Sequence, residues 1–462
     1  MTDDVLKHVI ADLKFLSCYQ KLSEKFMLDF YNHNLLDLIN PTWKESFDKN
    51  HLVNLLRTLT GEETLKTLTV FPLSMLCFTS IIRSTLRKRC YKKVDIDSAC
   101  YSKKSQIRHL KPKKIIELKA LLPHICAIIN DNNITHVVDV GSGVGHASRA
   151  IAASTGCSVL RIECQDQLLE KAQKIDKKFS NVVDDEMKIY SSSMRLQLDE
   201  CISESFKEIL QKSDAKFNTQ FSSSDNILLL GLHPCGNLGS YISRLYNEYN
   251  NCGSLILISC CYLFIDIKPD SPTNGYPMSK TLKSSGVDYN MSSLLFQEAC
   301  HNAEYYIDNL LVQLGKGDQS LLQQHWRAIA DIFMIRRGKK EIRFKIKPKG
   351  NVLKFINDNF AKHELSELTK EEEFEVLKLA YDAQLTAFYY LVYTVKMCLG
   401  IVAENVILND RLLYLLENNI QASIVPIFDP VESPRNIAII ATKTTDCKDS
   451  SDTFQCKIRR FE

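Results

Sequence analysis

The chain holds 462 residues, about three domain-equivalents at roughly 150 residues each. Hydrophobic residues make up 45% and charged residues 24%, which excludes a wholly disordered chain, a collagen-like fibre and a small stapled scaffold. With 58 Lys and Arg against 55 Asp and Glu the formal net charge is +3, so any nucleic-acid surface has to come from local clustering.

Apolar residues recur at helical spacing through Val5, Ile10, Leu13 and Phe15, and again through Leu28, Phe30, Leu35, Leu36 and Leu38, with a break at Pro41. Residues 1–105 are therefore predicted to form a helical N-terminal region. A basic, polar connector runs from Arg83 to Lys114. The opening Met-Thr-Asp-Asp-Val lacks the basic start and apolar core of a signal peptide. The 16 cysteines contain no C-x-x-C pair. Reduced thiols in an intracellular compartment, cytoplasmic or nuclear, are the expectation.

The texture changes near residue 106. Ile115 to Ile129 reads as an amphipathic helix, Thr135 to Val140 as a strand and Ala147 to Ala153 as a helix. A second strand, Ser158 to Ile162, precedes a polar helix near Gln167 to Lys178. Met187 to Tyr190, Asn226 to Leu232 and Ser254 to Ile258 supply three further strands. Strands alternating with helices predict an α/β fold, a parallel sheet wound on both faces, with its core at 106–265. Continuous apolar character in the last two strands fits coverage on both sides.

Residues 266–435 are predicted to hold helical insertions. Asp270 to Ser285 reads as a loop, followed by helices at Ser292 to Asn302, Ser320 to Phe333 and about Lys370 to Asn418. An apolar strand at 436–443 is expected to return to the sheet edge. Leu68 to Ile82 is uncharged but only 15 residues long and contains Pro72. Ala383 to Ala403 carries Lys396, at a cost of about 3 kcal/mol near a bilayer centre. Both are read as buried helices, and no membrane span is expected.

The segment from His136 to His146 carries the strongest motif, Val-Val-Asp139-Val-Gly141-Ser142-Gly143-Val-Gly145. A strand enters three alternate glycines and a helix follows. Glycines permit positive φ and let a ligand approach the backbone, and the N–H groups at the helix start suit a polar or anionic group. Eighteen residues after Gly145, Glu163 ends the second strand, the position for a carboxylate that accepts ribose hydroxyls. Dinucleotide folds use G-x-G-x-x-G, whereas the spacing here is G-x-G-x-G. Asp139 would repel a pyrophosphate and attract a sulfonium and an ammonium. Both features favour S-adenosylmethionine over NAD.

Ligands of open α/β sheets sit outside the carboxyl ends of the strands. The fourth strand ends in Gly231-Leu-His233-Pro-Cys235-Gly-Asn237, the fifth in Ser259-Cys260-Cys261-Tyr262. His233 suits proton transfer, with Cys235 beside it as a second catalytic candidate. Asn237, Cys260, Cys261 and Tyr262 are candidates for binding substrate. Both cysteines of the Cys260-Cys261 pair also read as small buried apolar residues. A zinc site of His and Cys is the lesser alternative, because standard spacing is missing, and no metal is assigned.

These residues stand in a wider set: Lys111-Pro-Lys-Lys114 with Glu117, the glycine loop, Gly231 to Leu238, Ser259 to Tyr262, Gly275-Tyr-Pro-Met-Ser279, Arg327-Ala328 and Ser433-Pro-Arg-Asn436. In that order they resemble the methyltransferase-like protein 25 family, which includes the ribosomal RNA adenine dimethylase domain-containing protein. The resemblance implies a Rossmann-like methyltransferase fold that binds S-adenosylmethionine through Asp139, Gly141, Gly143, Gly145 and Glu163. Members often carry Asp where this chain has Asn237, so Asn237 is not nominated as a base. The Asn-Pro-Pro-Tyr motif of adenine-N6 enzymes is missing, so adenine dimethylation is not inferred. The His-x-Cys-Gly block with a later Cys-Cys also looks like some transfer RNA ribose methyltransferases.

From Ile335 to Lys354 the chain is densely basic. Ile342, Phe344 and Ile346 alternate with Arg343, Lys345 and Lys347, so a strand here would carry one cationic face. That face suits a phosphate backbone, and a solvated, lysine-protected edge strand equally well. The expected function is methyl transfer to a macromolecule, RNA before protein. The alternative is a catalytically silent scaffold of the same fold that binds cofactor or RNA.

Overall fold

The structure, a computed structural model, describes residues 2–45, 47–61, 70–89, 91, 110–180, 188–193, 195, 202–212, 226–268, 274–316, 322–339 and 350–443. Among the described residues seven segments extend as strands: β1 His136–Val140, β2 Ser158–Glu163, β3 Ile189–Ser193, β4 Ile227–Leu232, β5 Cys252–Ile258, β6 Gln421–Pro426 and β7 Ile437–Thr442. They form one sheet in the order β3-β2-β1-β4-β5-β7-β6. The first five are parallel, with Val138 opposite Leu160 on one side and Leu229 on the other. β7 runs antiparallel to both β5 and β6.

Neighbouring residues along each strand enter opposite cores, as a period of two requires. Val138, Leu229 and Leu255 pack on one face with Ile242, Leu245 and Tyr246 of the helix Leu238–Glu248. Val137, Leu228 and Ile256 pack on the other with Leu121 and Ile125 of the helix Pro112–Asp131 and Ile151 of the helix His146–Thr155. A fully buried leucine in such a layer contributes about 1.5–3 kcal/mol. Chain order reverses at β1, which lies between β2 and β4. This switch point opens a crevice beyond the carboxyl ends of the central strands.

The expected α/β sheet is present, with three differences. β7 lies inside the sheet, and β6, unpredicted, forms the edge. The expected loop 270–285 contains a helical turn, Lys280–Lys283, capped by Ser279; residues 269–273 lie outside the described residues. The long C-terminal helical region breaks at Asp382 into Lys370–Tyr381 and Ala383–Glu417, where the Asp382 carboxylate accepts the Gln384 and Leu385 N–H groups, both at 2.9 Å.

Contacts group the chain into two units. One comprises residues 1–13, 89–289 and 405–462 and contains the whole sheet; the other comprises 14–88 and 290–404. The boundary read at residue 105 lies outside the described residues, and most of the N-terminal helical region groups with 290–404. That second unit is helical, with a core of Trp326, Phe333, Ile356, Phe360 and Val376. Ala383–Glu417 is long and apolar enough to cross a membrane, but 89% of its most apolar stretch is buried inside the protein, the setting of a core helix. Lys396 within it is fully buried. Its ammonium donates to the carbonyls of Lys25 at 2.7 Å and Leu22 at 3.2 Å, and it lies 3.6 Å from Glu298.

Candidate active site

β1 delivers the chain into Gly141 at φ +73°, Gly143 at +57° and Gly145 at +71°, the left-handed region that glycine tolerates. The three do different work. A Cβ on Gly143 would meet nothing within 4 Å, whereas one on Gly145 would fall 2.6 Å from Arg161 Nη1. Gly145 thus makes room for a buried arginine. Arg161 and Arg149 donate to the two oxygens of Asp176 at 2.7 and 2.9 Å, and Arg149 also donates to the Val144 carbonyl at 2.8 Å. An ionic knot therefore underlies the glycine loop. Burial and the adjacent Arg149 lower the His146 pKa to about 4.

At the end of β2, Glu163 is buried. One carboxylate oxygen accepts the Gly143 N–H at 2.9 Å; the other accepts those of Cys164 and Gln165 at 2.9 and 3.1 Å. This carboxylate locks the glycine loop to the second strand. Asp139 is placed otherwise than expected. It is buried beneath the loop and accepts the Ser148 hydroxyl at 2.6 Å. Burial raises its pKa, and it does not border the cavity described below.

At the end of β4, His233 takes φ +65°. Its Nε2 lies 3.2 Å from Glu117 Oε1, an oxygen that also accepts the Ser433 hydroxyl at 2.8 Å. Lys114 approaches the other oxygen at 3.3 Å. Burial works to raise the Glu117 pKa, but the hydrogen bond and charge of His233, with Lys114 and Ser433, bring it down to about 2. Residues 117, 233 and 433, far apart in sequence, thus meet on one carboxylate.

The sulfur of Cys235 lies 3.4 Å from those of Cys260 and Cys261, which are 3.5 Å apart. Burial, and then the neighbouring Cys235, push the Cys260 thiol well above its ordinary range. Burial also raises Cys235. As free thiols both are protonated at neutral pH and so poor nucleophiles.

A cavity of about 580 Å³ opens at these strand ends. Of the residues read from the sequence, Gly141, Glu163, His233, Cys235 and Asn237 border it. Ser142, Gly143, Gly145, Cys260, Cys261 and Tyr262 are not among its lining residues. The Ser142 hydroxyl oxygen is buried without a hydrogen-bond partner. Asn237 accepts the Asp266 N–H at 2.7 Å and so tethers the loop after β5. Tyr262 is buried, with the Arg411 guanidinium 5.9 Å from its ring centre. Arg343, Lys345 and Lys347 lie outside the described residues.

Sequence reasoning missed Gln165, Arg195, Tyr241 and the exposed Phe264, which also border the cavity. It missed the Arg149–Arg161–Asp176 knot as well. Only Phe264 carried a local signal, as an aromatic two residues beyond the Ser259 to Tyr262 block.

Residues 103–266 match a protein family described as a methyltransferase domain. The chain is 26% identical over 252 residues to mouse (Mus musculus) "Probable methyltransferase-like protein 25", covering 50% of this chain and 40% of that protein. It is 26% identical over 256 residues to the human (Homo sapiens) protein of the same name, covering 50% and 39%. The match thus spans about two fifths of the length of these relatives. A solved coclaurine N-methyltransferase, bound to N-methylheliamine and SAH, aligns over 90% of this chain and 98% of that chain, at 11% identity and a TM-score of 0.26; so loose a superposition carries no argument. The resemblance to the methyltransferase-like protein 25 family is borne out, and the methyltransferase-domain match falls within the sheet unit.

Proposed function

We propose that the chain is an S-adenosylmethionine-dependent methyltransferase working in the cytosol or nucleus on a macromolecule, RNA before protein. The observation that carries this reading is Glu163, a buried carboxylate bordering the cavity beside Gly141 at the switch point of the sheet. A carboxylate there suits the paired hydroxyls of a ribose. The glycine loop leaves room for a ligand against its backbone, with open space at Gly143.

S-adenosylmethionine supplies a methyl carbon activated by a positively charged sulfur. The chain's own residues then need only hold donor and acceptor in line and exclude water. His233, its Nε2 held by Glu117, takes the proton released by an acceptor nitrogen or oxygen through its other ring nitrogen. RNA is favoured by the alternating cations Arg343, Lys345 and Lys347 and by the likeness of the His-x-Cys-Gly block to transfer RNA ribose methyltransferases.

Calorimetric titration with S-adenosylmethionine and with NAD tests the cofactor. Glu163→Ala should weaken donor binding about 10- to 100-fold, the loss of hydrogen bonds to a charged group. Unchanged affinity, or a preference for NAD, would overturn the reading. Radiolabelled donor in a cell lysate, followed by separate nuclease and protease digestion, tests the substrate. Nuclease-sensitive label supports RNA, and protease-sensitive label moves the substrate to protein. Donor affinity with no label in any fraction favours a silent scaffold.

A further inference from the structure

We propose that Cys235, Cys260 and Cys261 form the protein part of a zinc site whose fourth position opens to the cavity. Three sulfurs from two separate chain segments lie 3.4, 3.4 and 3.5 Å from one another. At a Zn–S length of about 2.3 Å, the edge of a tetrahedron is about 3.8 Å. An ion therefore needs the sulfurs to part by only about 0.3–0.4 Å.

Backbone on both sides sets this spacing. The left-handed His233 turns its carbonyl to within 3.3 Å of the Cys260 sulfur and 3.7 Å of the Cys235 sulfur. Its N–H donates to Ile258 at 2.9 Å, and the Gly236 N–H donates to Cys261 at 3.2 Å. A Cβ on Gly236, itself at φ +56°, would lie 2.7 Å from the Phe264 carbonyl oxygen. The two loops are thus pressed together and pinned, which fixes all three sulfur positions.

The donor set is all sulfur: among the described residues the donor atoms that group together are those of Cys235, Cys260 and Cys261, without a histidine nitrogen or a carboxylate. Soft thiolates disfavour magnesium, calcium and manganese and suit a thiophilic ion. Each thiol gives up its proton to solvent as the ion binds. Three thiolates leave one tetrahedral position for a water or a substrate atom, the pattern of an open rather than a closed zinc site. Cys235 borders the cavity, so that position is reachable from it. The sequence hides the site because its ligands are a single cysteine and, 25 residues on, an adjacent pair, not the C-x-x-C spacing. Three sulfurs at near-equal distances suit an ion better than a disulfide, which joins two and leaves the third alone. The proposal does not depend on methyl transfer.

The test is elemental analysis of the untagged full-length chain, expressed with added zinc and freshly isolated. About one zinc per chain is expected. Cobalt(II) in its place should give an intense sulfur-to-cobalt charge-transfer absorption. Cys261→Ser and Cys235→Ser should each lose most of the bound zinc, while Cys77→Ser, on an exposed helix position elsewhere, keeps it. Circular dichroism of Cys235→Ser, the more exposed of the two substitutions, separates loss of metal from loss of fold. Zinc far below one per chain after reconstitution would overturn the proposal. So would zinc retained in full by a Cys235→Ser/Cys261→Ser double variant, or a Cys235–Cys260 disulfide found by mass spectrometry in the fresh protein.

Discussion

The loops after β1 and β2 are tied to each other through charged side chains, whereas those after β4 and β5 are tied to each other through backbone contact, the Asn237 amide and sulfur. On the first side two buried guanidinium groups, Arg149 and Arg161, share Asp176, and Glu163 gathers three backbone N–H groups. On the second side a left-handed histidine, a tight glycine and three thiols fill the corresponding space. The contrast shows that one cavity rim can be made rigid in two ways, and that the same residue type serves different ends on each. Gly143 faces open space, while Gly236 faces the Phe264 backbone.

The comparison breaks most visibly at Asp176. Asp176→Ala leaves two buried guanidinium groups without their shared carboxylate and should cost about 3–5 kcal/mol, read as a lower urea midpoint. A loss under about 1 kcal/mol, the worth of a surface pair, would mean that charge does not hold the first side. A smaller contrast sharpens the roles of the two glycines. Gly236→Ala should cost about 2–4 kcal/mol, adding a backbone clash to the left-handed strain. Gly143→Ala should cost only about 1–2 kcal/mol, from strain alone. Equal losses in thermal melts would erase the distinction.

The smallest effect is a change of slope. The folded state holds Glu117 ionised, its pKa lowered from the ordinary 4.5 to about 2. The stabilisation this brings is fully present above about 4.5 and fades as pH falls toward 2. Glu117→Gln should flatten that part of a stability-against-pH curve and leave its neutral limb parallel to the parent's. An unaltered acid limb would show that Glu117 is not held by His233, Lys114 and Ser433 as described.

Much of the sheet was readable because its signals are local. Leu228 to Leu230 and Leu255 to Ile258 are apolar runs buried on both sides, and a glycine loop marks its own turn. β6 was not readable. Gln421-Ala-Ser-Ile-Val-Pro426 has neither clean alternation nor an unbroken apolar run, and its partner β7 defines it. Glu163 followed from its distance after the loop. The residue type of Asp139 suits a cationic ligand and a buried partner equally well, and only the packing of Ser148 beside it decides which way the carboxylate turns. The ionic knot joins residues 149, 161 and 176 through side-chain contacts that no periodicity encodes. The meeting of the three thiols followed from strand adjacency, but their equal spacing depends on the left-handed turn at His233, which no residue type announces.

β7 reaches β5 only after some 180 intervening residues have been made. Until then the newly synthesised sheet carries a long, apolar, unpaired flank, the kind that invites pairing with another chain. Premature termination before residue 437 would therefore yield a sticky, aggregation-prone polypeptide instead of a shortened working protein.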